Sequence, residues 1–93
     1  MLTAIVLVHT AADRIPEVAQ GIADLPGVAE VYSCAGDVDL VALLRVRDHE
    51  QIADIVTEHI SKVDGVQRTA THIAFRSYSS LDAESGFEVG ESG

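Results

Sequence analysis

Apolar residues occupy both alternating faces of two stretches of this chain, and a single stripe of two others. From Leu2 to His9, Leu2, Ala4, Val6 and Val8 share one face while Ile5 and Leu7 share the other, as expected of a strand covered on both sides. Leu40 to Val46 does the same, with Leu40, Ala42 and Leu44 set against Val41 and Leu43. Between these runs, Ile15, Val18, Ala19 and Ile22 follow helical spacing and predict one buried stripe. Asp13 is placed to cap that helix, and Pro16 falls in its first turn, where a missing N–H costs nothing. Asp48 begins a second helix with Gln51 as its capping-box partner, and Ile52, Ile55, Val56, Ile60 and Val63 form its stripe. Leu25-Pro26-Gly27 and Asp64-Gly65 end the two helices. Val28 to Ala35 and Val66 to Ser77 are more polar and read as edge strands.

The order is therefore β-α-β-β-α-β, and the chain half-repeats itself. Leu25-Pro26-Gly27-Val28 and Val63-Asp64-Gly65-Val66 occupy the same helix-to-strand corner of each half. Two right-handed crossovers put the first and third strands in the middle, giving sheet order 4-1-3-2 with both helices on one face. This is the α+β, ferredoxin-like plan. The opposite face still carries Ile5, Leu7, Val41 and Leu43, or their alternates. At about 25 cal/mol per Å², leaving four such side chains in water forgoes several kcal/mol. A second copy of the sheet is the natural cover, so a face-to-face dimer, a dimeric α+β sandwich, is expected.

Composition sharpens this picture. At 93 residues the chain is one domain, near the size where a lone monomer is marginal, yet 47% of it is hydrophobic. Its mean hydropathy of +0.22 is high for a surface-rich small domain and favours self-association. The net charge of −9 repels phosphate backbones and argues against direct nucleic-acid binding. Asp82, Glu84, Glu88 and Glu91 fall in the last stretch without a base, so residues 80–93 read as an acidic, flexible tail on a domain of residues 1–79. The lone Cys34 cannot form an internal disulfide and suits a reducing compartment. Met1 runs straight into the first strand with neither basic leader nor membrane span, and a cytoplasmic protein is expected.

Chemistry concentrates in Cys34-Ala35-Gly36-Asp37-Val38-Asp39-Leu40. Gly36 tolerates positive φ and close approach, and Asp37 and Asp39 set two carboxylates beside it. Such a stretch is either an ordinary hairpin turn or a binding loop. In the second case an aspartate accepts the ammonium of a small zwitterion and free backbone N–H groups receive its carboxylate. Thr69, Thr71 and His72 on the last strand could complete it. Of the four histidines, His59 lies on or beside the second stripe and reads as packed, and His49 starts a helix and reads as exposed. His72 is a pocket candidate. No HExxH or Cys/His cluster is present, so no metal site is written, and no cofactor is called for. Ser33 and Cys34 lack a nucleophile-elbow context, and Cys34 reads as a small buried hydrophobe. At 4% aromatic content the chain lacks the stacking platform of an RNA-binding sheet.

Taken together, the Leu25–Val28 corner, the Cys34–Leu40 loop, Arg45-Val46-Arg47-Asp48 and Asp64-Gly65-Val66-Gln67-Arg68-Thr69-Ala70-Thr71 carry a family resemblance. Residues 1–79 resemble the ligand-binding (RAM) domain of the Lrp/AsnC feast/famine transcriptional regulators. The resemblance implies sheet-packed dimers, rings of dimers that are commonly octamers, and an amino-acid effector held between neighbouring dimers. Carried over residue by residue, effector-response positions fall on Ser33, Gly36, Asp37 and Asp39, on His49, and on Thr71, His72 and Ile73. Full-length family members also carry an N-terminal helix-turn-helix, whereas here the first strand begins at Leu2. The chain thus looks like a stand-alone effector domain that senses an amino acid or co-assembles with a full-length Lrp/AsnC regulator.

Two competitors remain at this level. A cofactor-free monooxygenase or isomerase of the dimeric α+β barrel type would need an enclosed cavity using His9, His72 or Tyr32. A purely structural partner of regulators would leave the Gly36 loop empty.

Overall fold

Strands β1 (Leu2–Thr10) and β3 (Leu40–Val46) form the middle of a four-stranded antiparallel sheet ordered β2-β3-β1-β4, the expected order from the other edge. β2 (Val28–Ser33) and β4 (Val66–Ala74) are the edges. The computed structural model describes residues 1–80. The expected acidic tail therefore lies, from residue 81 on, outside the described residues.

Alternation allowed either face of the central strands to meet the helices. Ala4, Val6 and Val8 of β1 and Leu40, Ala42, Leu44 and Val46 of β3 turn inward and are fully or almost fully buried. They pack with Val18 and Ile22 of α1 (Ile15–Ala23) and with Ile52, Ile55 and Ile60 from the second helical segment. Ile5 and Leu7 pair with Leu43 and Val41 on the opposite face, and each is only half-buried in the single chain. β4 adds Arg68, Ala70, His72 and Ala74 to that face by register, and β2 adds Glu30 and Tyr32. The result is an apolar centre with a polar rim, the composition of a surface that meets a partner.

The two helix-to-strand corners use one device twice. Val28 N–H donates to Leu25 C=O and Val66 N–H to Val63 C=O, closing two four-residue turns. Gly27 and Gly65 take φ of +91° and +107° at the third position, as a type II turn requires. Each glycine carbonyl then accepts a strand or loop N–H, from Arg45 and Ala11 respectively. The repeat visible in the sequence is thus a repeat of hydrogen bonding.

Several local expectations change. Asp13 does not cap α1: it sits in a 3₁₀ turn, Ala12–Arg14, and the residue before α1 is Arg14, with no side-chain cap. Pro16 does fall in the first turn of α1. The second helix is not uniform. α2 (His49–Asp54) is followed by a π-helical turn, Ile55–His59, and a 3₁₀ turn, Ile60–Lys62. Ile55 and Ile60 are five residues apart, which at 100° per residue leaves them roughly 140° from one another in an α-helix. The wider turn brings both inward, and the Thr57 hydroxyl, donating to Ala53 C=O at 2.7 Å, accompanies it. His59 is consequently exposed beside Asp54 at 3.8 Å rather than packed. Asp48 caps α2 as expected: its Oδ1 accepts from Gln51 N–H at 2.9 Å, while Gln51 Oε1 reaches back to Arg47 N–H at 3.0 Å. Both edge strands stop earlier than expected, β2 at Ser33 and β4 at Ala74.

Candidate functional site

The loop between β2 and β3 is closed by Cys34 N–H donating to Asp39 C=O at 2.9 Å. Because β2 ends at Ser33, the chain then leaves the core, and Cys34 is an exposed free thiol rather than a buried hydrophobe. Gly36 has a φ of +122°, and a Cβ placed there would meet nothing within 4 Å. The left-handed backbone therefore serves the turn itself and leaves open space above it.

β1 clamps this loop from the side. Asp39 N–H donates to Val8 C=O at 3.1 Å, and Asp39 Oδ2 accepts from Thr10 N–H at 2.9 Å. Thr10 is buried and lies just past a register shift against β4, where the ladder cannot serve its N–H. The Asp39 carboxylate is thus already engaged in holding the end of β1, whereas the Asp37 carboxylate is exposed. His9 Nε2 lies 2.8 Å from Asp37 C=O, and Arg68 Nη2 lies 3.2 Å from the same ring nitrogen. Sequence reasoning did not select Thr10 or Arg68 for this site. His9 and Arg68 are 59 positions apart and meet only because β1 and β4 pair at that register.

Asp39→Ala is expected to destabilise the fold by about 1–3 kcal/mol, because Thr10 N–H loses a charged acceptor in a water-poor position. Asp39→Asn, which keeps an oxygen at that place, should lose less. Urea denaturation of both variants checks this. Equal losses would show that the carboxylate does not serve Thr10.

The other expected site residues do not gather here within one chain. Ser33 ends β2 beside the loop and is exposed. His49 opens α2 beyond the far end of β3, about 20 Å away at ~3.4 Å per strand residue. Thr71, His72 and Ile73 lie on β4 opposite Val6, Ile5 and Ala4, further along β1 than the loop. His72 faces the open side of the sheet, and Thr71 and Ile73 the helix side. Tyr32, on the open face, donates its phenol to Glu30 at 2.5 Å, and this bond with the glutamate charge holds its ionisation above the usual tyrosine range. A cavity of about 520 Å³ lies at the other end of the sheet, lined by Met1, Leu2, Thr3, Arg45 and Ala74 to Ser77. It includes none of His9, His72 or Tyr32, the residues a barrel-type enzyme would use.

A ferredoxin-like domain whose exposed chemistry lies in one loop and on one uncovered sheet face is thus defined. The chain belongs to the Lrp/AsnC ligand binding domain family, whose model matches residues 3–83. It is 35% identical over 72 residues to the HTH-type transcriptional regulator LrpA of Pyrococcus horikoshii, covering 77% of this chain and 51% of that one. PF0250 of Pyrococcus furiosus, an uncharacterised HTH-type transcriptional regulator, is 39% identical over 59 residues, 63% of this chain and 39% of its own. The chain spans about half the length, or less, of these curated relatives. Among solved structures, TTHA0845 from Thermus thermophilus matches with a TM-score of 0.80 at 48% identity, over 85% of this chain and 99% of that one. The Neisseria meningitidis transcriptional regulator NMB0573, solved as a complex with L-Met, has the same fold, with a TM-score of 0.75 at 19% identity over 84% and 52% of the two chains. No helix among the described residues is long and apolar enough to cross a membrane.

Proposed function

We propose that this chain is a non-enzymatic sensor: it binds a free amino acid at a crevice between dimers and passes the occupancy on through assembly. The observation that carries this reading is the Gly36 loop. It is held in place by Asp39 and His9, yet open above its glycine and flanked by an exposed carboxylate. Membership of a ligand-binding family whose relatives are named as transcriptional regulators supports a regulatory rather than a catalytic role.

The scatter of the remaining positions supports a site shared between copies. His49 and the β4 residues stand apart from the loop in one chain, so only neighbouring copies could bring the two sets together. The open apolar sheet face supplies the first contact, a face-to-face dimer, and rings such as octamers would then build the crevice. Co-assembly with a full-length Lrp/AsnC regulator, through the same sheet face, is the proposed route to transcription.

The test is a thermal-shift screen of the common amino acids, with native mass spectrometry on the same samples. Methionine opens the screen because the Neisseria neighbour is named as an L-Met complex. A true effector at a hundredfold excess over its Kd should add about 2.7 kcal/mol of stability by mass action. It should also travel as bound mass on a dimer or larger species. A screen in which no amino acid raises the melting temperature, or a protein that flies only as a monomer, would refute the sensor role.

A further inference from the structure

Arg68 and Asp37 compete for one atom. The Arg68 guanidinium has only N–H donors, and Asp37 C=O is only an acceptor, yet both approach His9 Nε2, at 3.2 and 2.8 Å. A ring nitrogen carrying its proton serves the carbonyl and turns an N–H toward the guanidinium. One without its proton accepts from Arg68 and leaves the carbonyl without that donor. The shorter contact favours the first arrangement, in which His9 holds the loop and Arg68 keeps its donors for another acceptor. Among the described residues Arg68 has no carboxylate partner, as is also true of Arg45, Arg47 and Arg76, and of these four it is the one set against His9, the ring that holds the Gly36 loop.

From this we infer that Arg68 is the carboxylate-binding residue of the Gly36 site, so that the site selects ligands with a free α-carboxylate and rejects their amides. The inference rests on the sensor reading and deepens it by naming the recognised chemistry. A carboxylate on Arg68 ends the competition: the guanidinium gains a planar two-oxygen acceptor, the geometry it binds best, and His9 stays on Asp37 C=O. The ligand ammonium, on the neighbouring carbon, falls to the Asp37 carboxylate. Asp39 is committed to Thr10 N–H and is not required for either charge.

Isothermal titration on the full chain tests it, with each amino acid that scores in the thermal screen compared with its own α-amide. The wild-type protein should bind the acid at least about tenfold more tightly than the amide, the scale of one charge-assisted pair. In Arg68→Gln the acid should weaken to the level of the amide while amide binding stays unchanged, and Arg68→Lys, which keeps the charge without the fork, should fall between. Arg68 is exposed at the sheet edge, so a melting temperature near that of the wild type confirms that each variant is folded. If Arg68→Gln keeps the full preference for the acid, the assignment of Arg68 is overturned and the sensor role stands. If no amino acid binds the wild-type protein, the sensor role and this assignment fall together.

Discussion

Gly65→Ala is expected to be among the most damaging single-methyl changes in this protein, costing about 2–5 kcal/mol. The φ of +107° at this corner is a conformation that costs an L side chain of the order of 1–2 kcal/mol. The new Cβ would also stand 2.8 Å from Val18 Cγ2 and 3.1 Å from Arg14 Cβ. Val18 is fully buried and β-branched, so it has no spare rotamer to retreat into, and overpacking of this kind costs about 1–3 kcal/mol. For a domain of this size the sum corresponds to a fall in melting temperature of roughly 8–40 °C, read at fixed protein concentration. Gly36→Ala is the matched control. Its φ of +122° carries the backbone strain, but its Cβ meets nothing within 4 Å. The loss there should be confined to that strain. If the two variants melt together, steric crowding at the Gly65 corner is not the cause.

The second large effect concerns association. Leu43 lies at the middle of the open face, opposite Ile5 on one side and Glu30 on the other, while its neighbour Leu44 is fully buried under the helices. Leu43→Glu is therefore expected to leave the fold intact and to abolish dimer formation. In the proposed face-to-face dimer the substitution would enter a twofold interface twice, and a carboxylate without a partner there would cost several kcal/mol on each side. The dimer dissociation constant should rise by at least about a hundredfold, measured by sedimentation equilibrium, with the far-ultraviolet circular dichroism unchanged. Leu44→Glu, one residue along, should instead unfold the chain. A Leu43→Glu protein that sediments like the wild type would remove the sheet face from the assembly.

How much of this was legible without coordinates differs from element to element. The β-α-β-β-α-β order and the repeated glycine corners follow from local signals: period-two and helical apolar spacing, and turn residues that demand a particular φ. The sheet order needs one rule more, the right-handedness of the two crossovers. Where a local signal had two physical outlets, it misled. Asp13 is a good capping residue in composition, but the chain tightens into a 3₁₀ turn there and α1 starts after Arg14. His59 sits at a stripe-like position only if the helix keeps a uniform pitch, and the five-residue step from Ile55 to Ile60 breaks that pitch. A free cysteine reads as a small buried hydrophobe, but β2 ends at Ser33 and Cys34 falls in the exposed loop beyond it.

The candidate site divides in the same way. A glycine followed by two aspartates, Gly36 before Asp37 and Asp39, announces a loop with room and charge, and that much needs nothing beyond the sequence. Which aspartate is free was decided by the partners that folding delivered. Thr10 N–H, unserved at a register shift, took Asp39, and His9 took only the backbone of Asp37. Likewise the alternating strands guarantee two apolar faces, but only the packing of Val18, Ile22, Ile52, Ile55 and Ile60 settles that Ile5, Leu7, Val41 and Leu43 are the ones left over. Apolar periodicity is a property of neighbours along the chain, so the sequence determined the elements and their order. Charge pairing and face selection are properties of neighbours in space, so only the tertiary structure set Arg68 beside the loop and left one apolar sheet face outside the helical layer.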